Sequence, residues 1–422
     1  MAVSKGTKKL LVAALFTALF LLIYRLGSKV QMPFVSYDIL SKATPSLFGF
    51  LDIFSGGALS NFSILALGIS PYITSSIVVQ LLQMDVLPVL KEWSEEGEAG
   101  KQKINQLTKY IALGLAFVQA LTLTLGLPDY FGNGFIESPF TYVYLALVAT
   151  AGTAFCMWLA EQMTAKGVGN GTSMLIVAGI LASFPGMFTE LGSQFLTTAT
   201  TKNVISFIIV VLSFILTIVG ISFMEAAQRK IPVQYANRPA SAGLRGKNDS
   251  NIPIKLNSAS VIPVIFAATL MSLPTTIVQI TKSQTTGFGN LIMNIFSQTE
   301  TIGFVVYILL IFIFSFFYAF LQINPEKMAE NLQKNNAYIP GVRPGEDTAA
   351  FLSRVLFKVT MVGATYLAIV AAFPIIISRI FNLSNAIQIG GTGLIIVVGV
   401  AIETAKQIKT QVQDKQYRGF IN

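Results

Sequence analysis

The stretch SILALGISPYITSSIVVQLL, residues 63–82, is apolar enough to cross a bilayer, but it contains the pair Ser70-Pro71. Proline removes a backbone donor and clashes with the preceding turn of a helix. An unsatisfied backbone group is costly in hydrocarbon, so an interrupted helix survives there only against protein or water. The stretch therefore predicts a membrane helix that is broken near its start and lies beside a protein-lined or aqueous path.

The composition of the whole chain is that of a polytopic membrane protein. Its 422 residues are 53% hydrophobic and 12% charged, whereas soluble domains carry roughly 25% charged residues. The mean hydropathy is +0.66. Apolar runs long enough to cross a ~30 Å core predict an all-α fold with ten transmembrane helices. The predicted spans lie near 10–27, 68–84, 107–127, 139–160, 172–188, 203–223, 259–279, 302–322, 354–378 and 389–407.

The distribution of lysine and arginine predicts the orientation of these spans. If the N-terminus is cytoplasmic, all basic residues lie inside except Arg25, Lys29, Lys42, Lys202, Lys282 and Arg379. Cytoplasmic loops of membrane proteins are enriched in these residues, so both termini are predicted to be cytoplasmic. The same rule accounts for the net charge of +9 without a nucleic-acid partner.

Several kinds of chemistry are excluded by composition. The chain has no histidine and one cysteine, Cys156, so a disulfide framework, a Cys/His metal site and histidine acid–base catalysis are ruled out. The glycine-containing stretches 97–102 and 243–248 lack the spacing and the hydroxyl of a phosphate-binding loop. We therefore expect no cofactor and no metal, and we expect that the protein is not an enzyme.

Matched irregularities indicate an internal duplication of five spans. The second span contains Pro71 and its counterpart, the seventh, contains Pro263. The fifth span is entered through GVGNGTSMLIVAGI (167–180) and the tenth through IGGTGLIIVVGV (389–400). Because five is odd, the two copies have opposite orientations. An inverted pair with interrupted helices at matched positions predicts a transport pathway between the halves.

The helices of this candidate pathway carry isoleucines rather than ionisable groups. Ile73 and Ile77 are four residues apart on the second span, as are Ile176 and Ile180 on the fifth, while Ile265 and Ile395-Ile396 occupy the seventh and tenth. Apolar side chains at a constriction exclude water and ions by dewetting. Each isoleucine alone fits lipid contact or helix packing equally well. Taken together on four matched helices, they favour an apolar pore.

Two long cytoplasmic loops are candidates for docking. Loop 223–258 is basic, and loop 323–353 presents Arg343 between Gly341-Val342 and Pro344-Gly345. Proline and glycine fix turn dihedrals and would hold this arginine at a rigid tip. A basic inside loop also follows from topology alone.

Seven stretches together resemble the SecY family of protein-conducting channel subunits over nearly the whole chain. They are 50–83, 96–110, 167–180, RKIPVQYANR (229–238), LNSASVIPVIFA (256–267), YIPGVRPGEDT (338–348) and GGTGLIIVVGVAIET (390–404). The resemblance implies two inverted five-helix halves around a central hourglass pore. It implies a channel that passes unfolded secretory polypeptides across the bacterial cytoplasmic membrane and releases signal sequences and membrane helices sideways.

The resemblance also implies roles for particular residues. A hydrophobic pore ring would comprise Ile73, Ile77, Ile176, Ile180, Ile265 and Ile396. A short plug helix would match Phe54 to Leu67, with Phe54, Ser55, Gly56, Gly57, Ala58, Leu59, Ser60, Asn61 and Phe62 at its centre. A lateral gate between the second and seventh spans, with the third and eighth beside them, would include Pro71, Thr74, Ser75, Gln80, Pro263 and Thr269. Partners would dock at Arg229, Lys230, Arg238, Arg245, Lys247 and Arg343.

The implied partners are SecE, SecG, the SecA motor, the ribosome and the insertase YidC. The implied domains are an N-terminal half (1–188), an outer connection with the sixth span (189–222), the loop 223–258, and a segment 259–422 that contains the loop 323–353. The segment 237–252 matches the family poorly. Two alternatives stay open: an accessory SecY for specialised glycoprotein export, and a small-molecule transporter whose polar candidates are Ser70, Thr74, Ser75, Asn170 and Thr172.

Overall fold

The computed structural model describes residues 5–33, 52, 55–83, 87–126, 139–196, 201–235, 250–280, 287–298, 300–381, 383 and 385–418. Helices dominate these residues, with a small sheet. The helices are α1 Lys5–Gly27, α2 Ser70–Leu82, α3 Pro88–Glu95, α4 Glu98–Gly126, α5 Pro139–Lys166, α6 Gly171–Leu196, α7 Thr201–Ala226, α8 Ile262–Ile280, α9 Gly287–Phe296, α10 Thr301–Gln322, α11 Pro325–Lys334, α12 Glu346–Phe381 and α13 Asn385–Arg418. The strands are β1 Gln228–Tyr235, β2 Ser250–Lys255 and β3 Ala337–Tyr338.

Each of the ten predicted spans falls on one long helix or on part of one. Within the described residues, seven helices are long and apolar enough by themselves to cross a membrane: α1, α4, α5, α6, α7, α10 and α12. The other three are α2, α8 and α13. Helix α2 has only 13 residues, which is about 20 Å at 1.5 Å per residue and shorter than the hydrocarbon core. Helix α8 has 19 residues and contains Pro274.

The prediction that proline breaks these spans from within is wrong. Pro71 lies in the first turn of α2, and Pro263 is the second residue of α8. Proline fits the first turn of a helix because the amide that it lacks has no partner there in any case. Each helix is preceded by consecutive turns, which we call the outer segment (residues 55–69) and the inner segment (residues 256–261). The part of each span before its proline is therefore a run of turns, and the helix begins next to the proline.

Helix packing repeats itself in the two halves and confirms the duplication. In the first half α2 contacts α4, α4 contacts α5, α5 contacts α6, and α1 contacts both α5 and α6. In the second half α8 contacts α10, α10 contacts α12, α12 contacts α13, and α7 contacts both α12 and α13. Between the halves, α2 meets α8, α6 meets both α13 and α7, and smaller contacts join α4 to α8 and α1 to α13. The second and fifth helices of both halves therefore take part in the interface between them.

Two glycines show the same repeat at atomic detail. A Cβ on Gly152 of α5 would overlap the carbonyl oxygen of Ile64 in the outer segment, and one on Gly363 of α12 would overlap that of Leu256 in the inner segment. Helices α5 and α12 are matched in the duplication. In each half, the lack of a side chain at one glycine of the fourth span therefore lets the backbone that precedes the second span pack directly against that helix.

The two loops that were predicted to be cytoplasmic form a small sheet that the all-α prediction did not include. Strand β1 pairs antiparallel with β2 from Gln228↔Lys255 to Val233↔Ser250. On its other edge β1 pairs with β3, which belongs to the second loop. Ile231, Val233 and Ile254 of the sheet pack against Leu352 and Leu356 of α12. The two predicted docking loops are thus one body rooted on α12. The predicted domain boundaries stay predictions, although α6 continues past residue 188 to Leu196.

We expect Gly152→Ala and Gly363→Ala each to destabilise the protein by about 1–3 kcal/mol, since forcing atoms into a filled site displaces backbone. Gly114→Ala on α4 is the matched control, because nothing lies within 4 Å of the added carbon. Thermal unfolding of the purified protein in detergent measures the effect. Equal unfolding temperatures for all three variants would show that the two close approaches carry no stability.

Candidate functional site

Isoleucines from both halves meet in one buried apolar cluster at the centre of the molecule. The four helices that carry them, α2, α6, α8 and α13, all contact the other half. All six predicted ring residues belong to this cluster, and their exposed fractions lie between 0% and 6%: Ile73, Ile77, Ile176, Ile180, Ile265 and Ile396. Branched aliphatic side chains from both halves therefore share one buried cluster.

Glycine explains how closely α6 and α13 approach at this cluster. A Cβ on Gly393 would lie 2.8 Å from Cγ2 of Ile180, closer than carbon atoms normally approach. The glycine-rich entry to the tenth span therefore leaves room for Ile180, which is fully buried. A glycine of the stretch that indicated the duplication is thus also required for the packing of α6 against α13.

The chain shows little polar chemistry near this cluster. Among the side chains whose burial the structure describes, the one Asp, Glu, Lys or Arg that is buried is Glu225, in the last turn of α7. No group of three or more potential metal ligands occurs in that part of the chain. An ion-coupled carrier would need such groups at the path.

The polar residues that a transporter would use have local partners instead. Thr74 Oγ1 donates to the carbonyl oxygen of Ser70, and Ser75 Oγ donates to that of Thr108 on α4. Asn170 Oδ1 accepts from the amide of Thr172 at the start of α6. These contacts position backbone and helices, so they do not favour a substrate-binding site.

A polar cavity of about 550 Å³ beside α2, α4, α5 and α6 contains the ion pair of Lys109 and Glu161. Their side chains are 36% and 48% exposed, so this cavity is a water-facing recess. It does not extend the apolar cluster.

The predicted gate residues lie on α2 and α8, which contact each other. Pro71, Thr74, Pro263 and Thr269 are buried. Ser75 is buried too, but its hydroxyl faces α4 and ties α2 to that helix. Gln80 is half-buried, and its Nε2 donates to Ser76 Oγ at 3.1 Å. Of these residues, Ser75 therefore has a partner on a helix other than the two that were predicted to form the gate.

An apolar cavity of about 230 Å³ opens at the seam between α2 and α8. Ser70 and Thr74 line it from α2, and Leu273 and Ile277 from α8. Gln119 of α4 completes one side, and the outer segment contributes Leu59. Space at a helix–helix seam allows the two helices to separate without first breaking a filled core.

The outer segment is bound to α1 and α6. Arg25 Nη1 donates to the carbonyl oxygen of Gly56 at 2.7 Å, and the hydroxyl of Tyr24 donates to that of Ser55 at 3.3 Å. A Cβ on Gly56 would lie 3.0 Å from Cα of Gly179, the residue before Ile180. Gly56 thus lies beside the isoleucine cluster, whereas Leu59 and Phe62 pack in a second apolar cluster with residues of α4 and α5. Phe54 lies outside the described residues.

The helix predicted over 54–67 is not what the structure shows for residues 56–69, which form consecutive turns. Gly56, Gly57 and Phe62 have φ values of 68°, 79° and 44°, and left-handed residues end a right-handed helix. Asp52 fixes one of these turns, because Ser60 donates to its carboxylate through both its amide (2.8 Å) and its hydroxyl (2.6 Å). Burial raises the pKa of the Asp52 carboxyl, and the hydrogen bonds from Ser60 lower it again in part.

The described docking candidates are exposed on the body that the two predicted docking loops form with the sheet. Arg229 and Lys230 lie on β1, paired with Ile254 and Pro253. Arg343 lies in a tight turn between Gly341 (φ 83°) and Gly345 (φ 102°), where its carbonyl oxygen accepts from the Thr348 hydroxyl at 2.8 Å. Arg238, Arg245 and Lys247 lie outside the described residues. The turn therefore presents one arginine at a fixed position.

Ten helical spans in two repeated halves, closed by apolar side chains at their interface, define a membrane channel. A model of the SecY family matches residues 63–405. Among curated proteins, a protein translocase subunit SecY from Halalkalibacterium halodurans is 47% identical over 96% of both chains. The SecY subunit of Bacillus subtilis is 42% identical over 96% of this chain and 95% of its own. This chain belongs to the SecY family, the channel subunits of protein translocases.

Solved structures share the fold. A structure described as that of a protein-conducting channel covers 95% of this chain and 92% of its own, with a TM-score of 0.67 and 19% identity. Sec61 in the canine ribosome–channel complex from the endoplasmic reticulum covers the same shares, with a TM-score of 0.64 and 18% identity. The ten-helix architecture therefore persists at low sequence identity.

We expect ions to leak through the protein when the contact between Gly56 and Gly179 is disturbed. Gly56→Ala should displace the outer segment from α6 and raise the ion conductance of the reconstituted protein several-fold. Gly57→Ala is the matched control, because it places a side chain on an equally left-handed residue but its nearest neighbour is Asn61 Nδ2 at 3.7 Å. Equal conductance in the two variants would contradict a specific role for the contact with Gly179.

Proposed function

We propose that this chain conducts unfolded polypeptides across the cytoplasmic membrane through the interface between its halves, with both termini in the cytoplasm. The observation that supports this most directly is the single apolar cluster to which α2, α6, α8 and α13 each contribute isoleucines. Six of them, Ile73, Ile77, Ile176, Ile180, Ile265 and Ile396, form the proposed pore ring. Before a polypeptide enters, these side chains touch one another and exclude water and ions.

An apolar aperture suits a cargo with every kind of side chain. A polar site that bound one sequence well would hold it and slow transport, since release becomes slower as affinity rises. Branched aliphatic side chains instead make non-directional contacts of small individual energy. They can close around chains of different width without binding any of them specifically.

The seam between α2 and α8 is the proposed lateral gate. It joins the halves, and it contains the apolar cavity lined by Thr74, Leu273 and Ile277. Separation of α2 from α8 opens the central path towards lipid. Signal sequences and membrane helices are apolar, so they would leave through this seam. Pro71, Thr74, Gln80, Pro263 and Thr269 are the proposed gate residues, and Ser75 holds α2 on α4.

The outer segment is the proposed plug. Its contacts with Tyr24, Arg25 and Gly179 hold it beside the ring. These contacts lie at the start of the segment, whereas residues 62–64 are also hydrogen-bonded to the backbone of residues 30–32. Displacement by a moving polypeptide would therefore begin at Gly56. Displacement of the segment would free the path next to Ile180.

The body that the two predicted docking loops form is the proposed docking surface for whatever drives the polypeptide. Arg343, Arg229 and Lys230 are exposed on it, and Arg238, Arg245 and Lys247 belong to the same loop as β1. Two solved relatives of this fold are described as bound to ribosomes, one from dog and one from yeast. We propose the ribosome and the SecA motor as partners here, with SecE, SecG and the insertase YidC as further partners in the membrane.

The ring predicts the outcome of polar substitution. Ile77→Asn or Ile265→Asn should place an amide among apolar side chains, weaken the closed contact and admit precursors whose signal sequences are defective. Ile77→Val and Ile265→Val are the matched controls, because valine keeps a branched apolar side chain and costs only about 0.5–1.5 kcal/mol. Export of defective precursors and ion leak through reconstituted protein are the measurements. Unaltered stringency and leak in folded asparagine variants would refute the ring.

A substitution in the turn that carries Arg343 should impair export without affecting the closed contact of the ring. Arg343→Glu should slow motor-driven export at least tenfold while leaving insertion and folding of the channel unchanged, since the reversed charge lies on an exposed turn. Lys327→Glu on the neighbouring helix α11 is the control for charge reversal on the same body. Translocation of a labelled precursor into membrane vesicles measures both. Normal kinetics for Arg343→Glu would remove this residue from the docking surface.

A further inference from the structure

Glu225 connects three elements at the cytoplasmic end of the second half. It lies in the last turn of α7, and its side chain is 3% exposed. Its Oε1 accepts from Asn257 Nδ2 at 3.1 Å and from Ser260 Oγ at 3.4 Å. Lys406 of α13 places Nζ 3.7 Å from Oε2 and also donates to the backbone oxygen of Glu225. One carboxylate thus joins α7, the inner segment and α13.

A matched arrangement exists on the opposite side of the first half. Arg25 lies near the end of α1, the counterpart of α7, and donates to Gly56 in the outer segment. Each half therefore has a charged residue at the end of its first span that binds the segment leading into its second span. Arg25 has the opposite sign of charge and binds a backbone oxygen, whereas Glu225 binds side-chain donors of Asn257 and Ser260.

The inner segment leads without a linker into α8, the seventh span and one side of the proposed gate. Ser260 adopts φ 54°, which is unfavourable for a residue other than glycine. Asn257 and Ser258 are buried. A left-handed serine and a buried asparagine persist only where the surroundings hold them, and the carboxylate of Glu225 contacts both Ser260 and Asn257.

We propose that Glu225 is a positioning residue that holds the inner segment, and with it the start of α8, in the closed position of the gate. This proposal rests on the proposed function, because it assigns the closed position to the seam of α2 and α8. Movement of the start of α8 away from α7 breaks the hydrogen bonds from Asn257 and Ser260. Lys406 remains with Glu225, so the buried carboxylate is not left unpaired, which would be strongly unfavourable.

The arrangement predicts that the gate opens more readily when the carboxylate or its partner in the inner segment is changed. Loss of one hydrogen bond to a charged group should raise the open population about tenfold. Glu225→Gln removes the charge. Asn257→Ala removes the closer donor and leaves Glu225 paired with Lys406. Ser258→Ala is the matched control, since it removes a buried hydroxyl of the same segment that donates to the carbonyl oxygen of Lys255 and not to Glu225.

Gate closure is measured by thiol crosslinking across the seam in membrane vesicles that contain the full chain. The reporter is Thr74→Cys with Leu273→Cys in a Cys156→Ala background, because these two positions line the same cavity from α2 and α8. We expect Glu225→Gln and Asn257→Ala each to reduce the crosslinking rate, and the double variant to reduce it no further. Ser258→Ala should crosslink as the parent does. Both single variants should also export precursors with defective signal sequences.

Two results would overturn the proposal. The first is a crosslinking rate equal to that of the parent in folded Glu225→Gln and Asn257→Ala proteins. The second is a crosslinking rate in the double variant that falls by the sum of the two single effects, which would mean that the two residues act separately. Thermal unfolding verifies folding, and Ser260→Ala replaces any variant that does not fold. Crosslinking requires no precursor, so failure of the proposed channel function would appear in export, whereas failure of the Glu225 proposal would appear in the crosslinking rate.

Discussion

The closed molecule depends on contact between apolar side chains that belong to different halves. Isoleucines of α2 and α6 meet isoleucines of α8 and α13 in one cluster, and covalent continuity alone would not keep the halves together there. Dispersion and burial favour this contact, but neither has a preferred direction. The interface can therefore be strong enough to exclude ions and still re-form around an object of another shape. A polar interface of the same size would demand matched partners in every state.

Polar interactions are placed where movement has to be limited. Arg25 binds the outer segment and Glu225 binds the inner segment, so each half anchors the approach to its second span at one end of the membrane. Gly152 and Gly363 bring a neighbouring helix against the same two segments. The two halves thus share more than the order of their helices. In both, a charged side chain and a glycine contact the non-helical segment before the second span.

Much of the architecture was predictable from the sequence. Hydropathy gave the spans, and the matched glycine and proline positions revealed the repeat that helix packing confirms. The role of Pro71 was misread because a proline within an apolar run looks the same whether it interrupts a helix or begins one. The sheet was missed because Pro232 and Pro253 argue against strands, although both lie in paired positions at Pro232↔Asn251 and Lys230↔Pro253. Glu225 was visible as an acid at the end of a span, but its partner Asn257 comes from a turn that no periodic pattern marks.

The pairing of β1 with β3 has a mechanical consequence. It consists of only two residue pairs, Gln234↔Tyr338 and Tyr235↔Ala337, whereas β1 and β2 share a much longer ladder. A pull on the arginine turn at 343 is transmitted through this short seam to the strand that continues into α7, and through α12 to the opposite end of the bundle. Two residue pairs rupture at a lower force than six. A weak pull on the turn at 343 would therefore move β3 and β1 together, whereas a strong pull would separate β3 from β1 and leave β1 paired with β2.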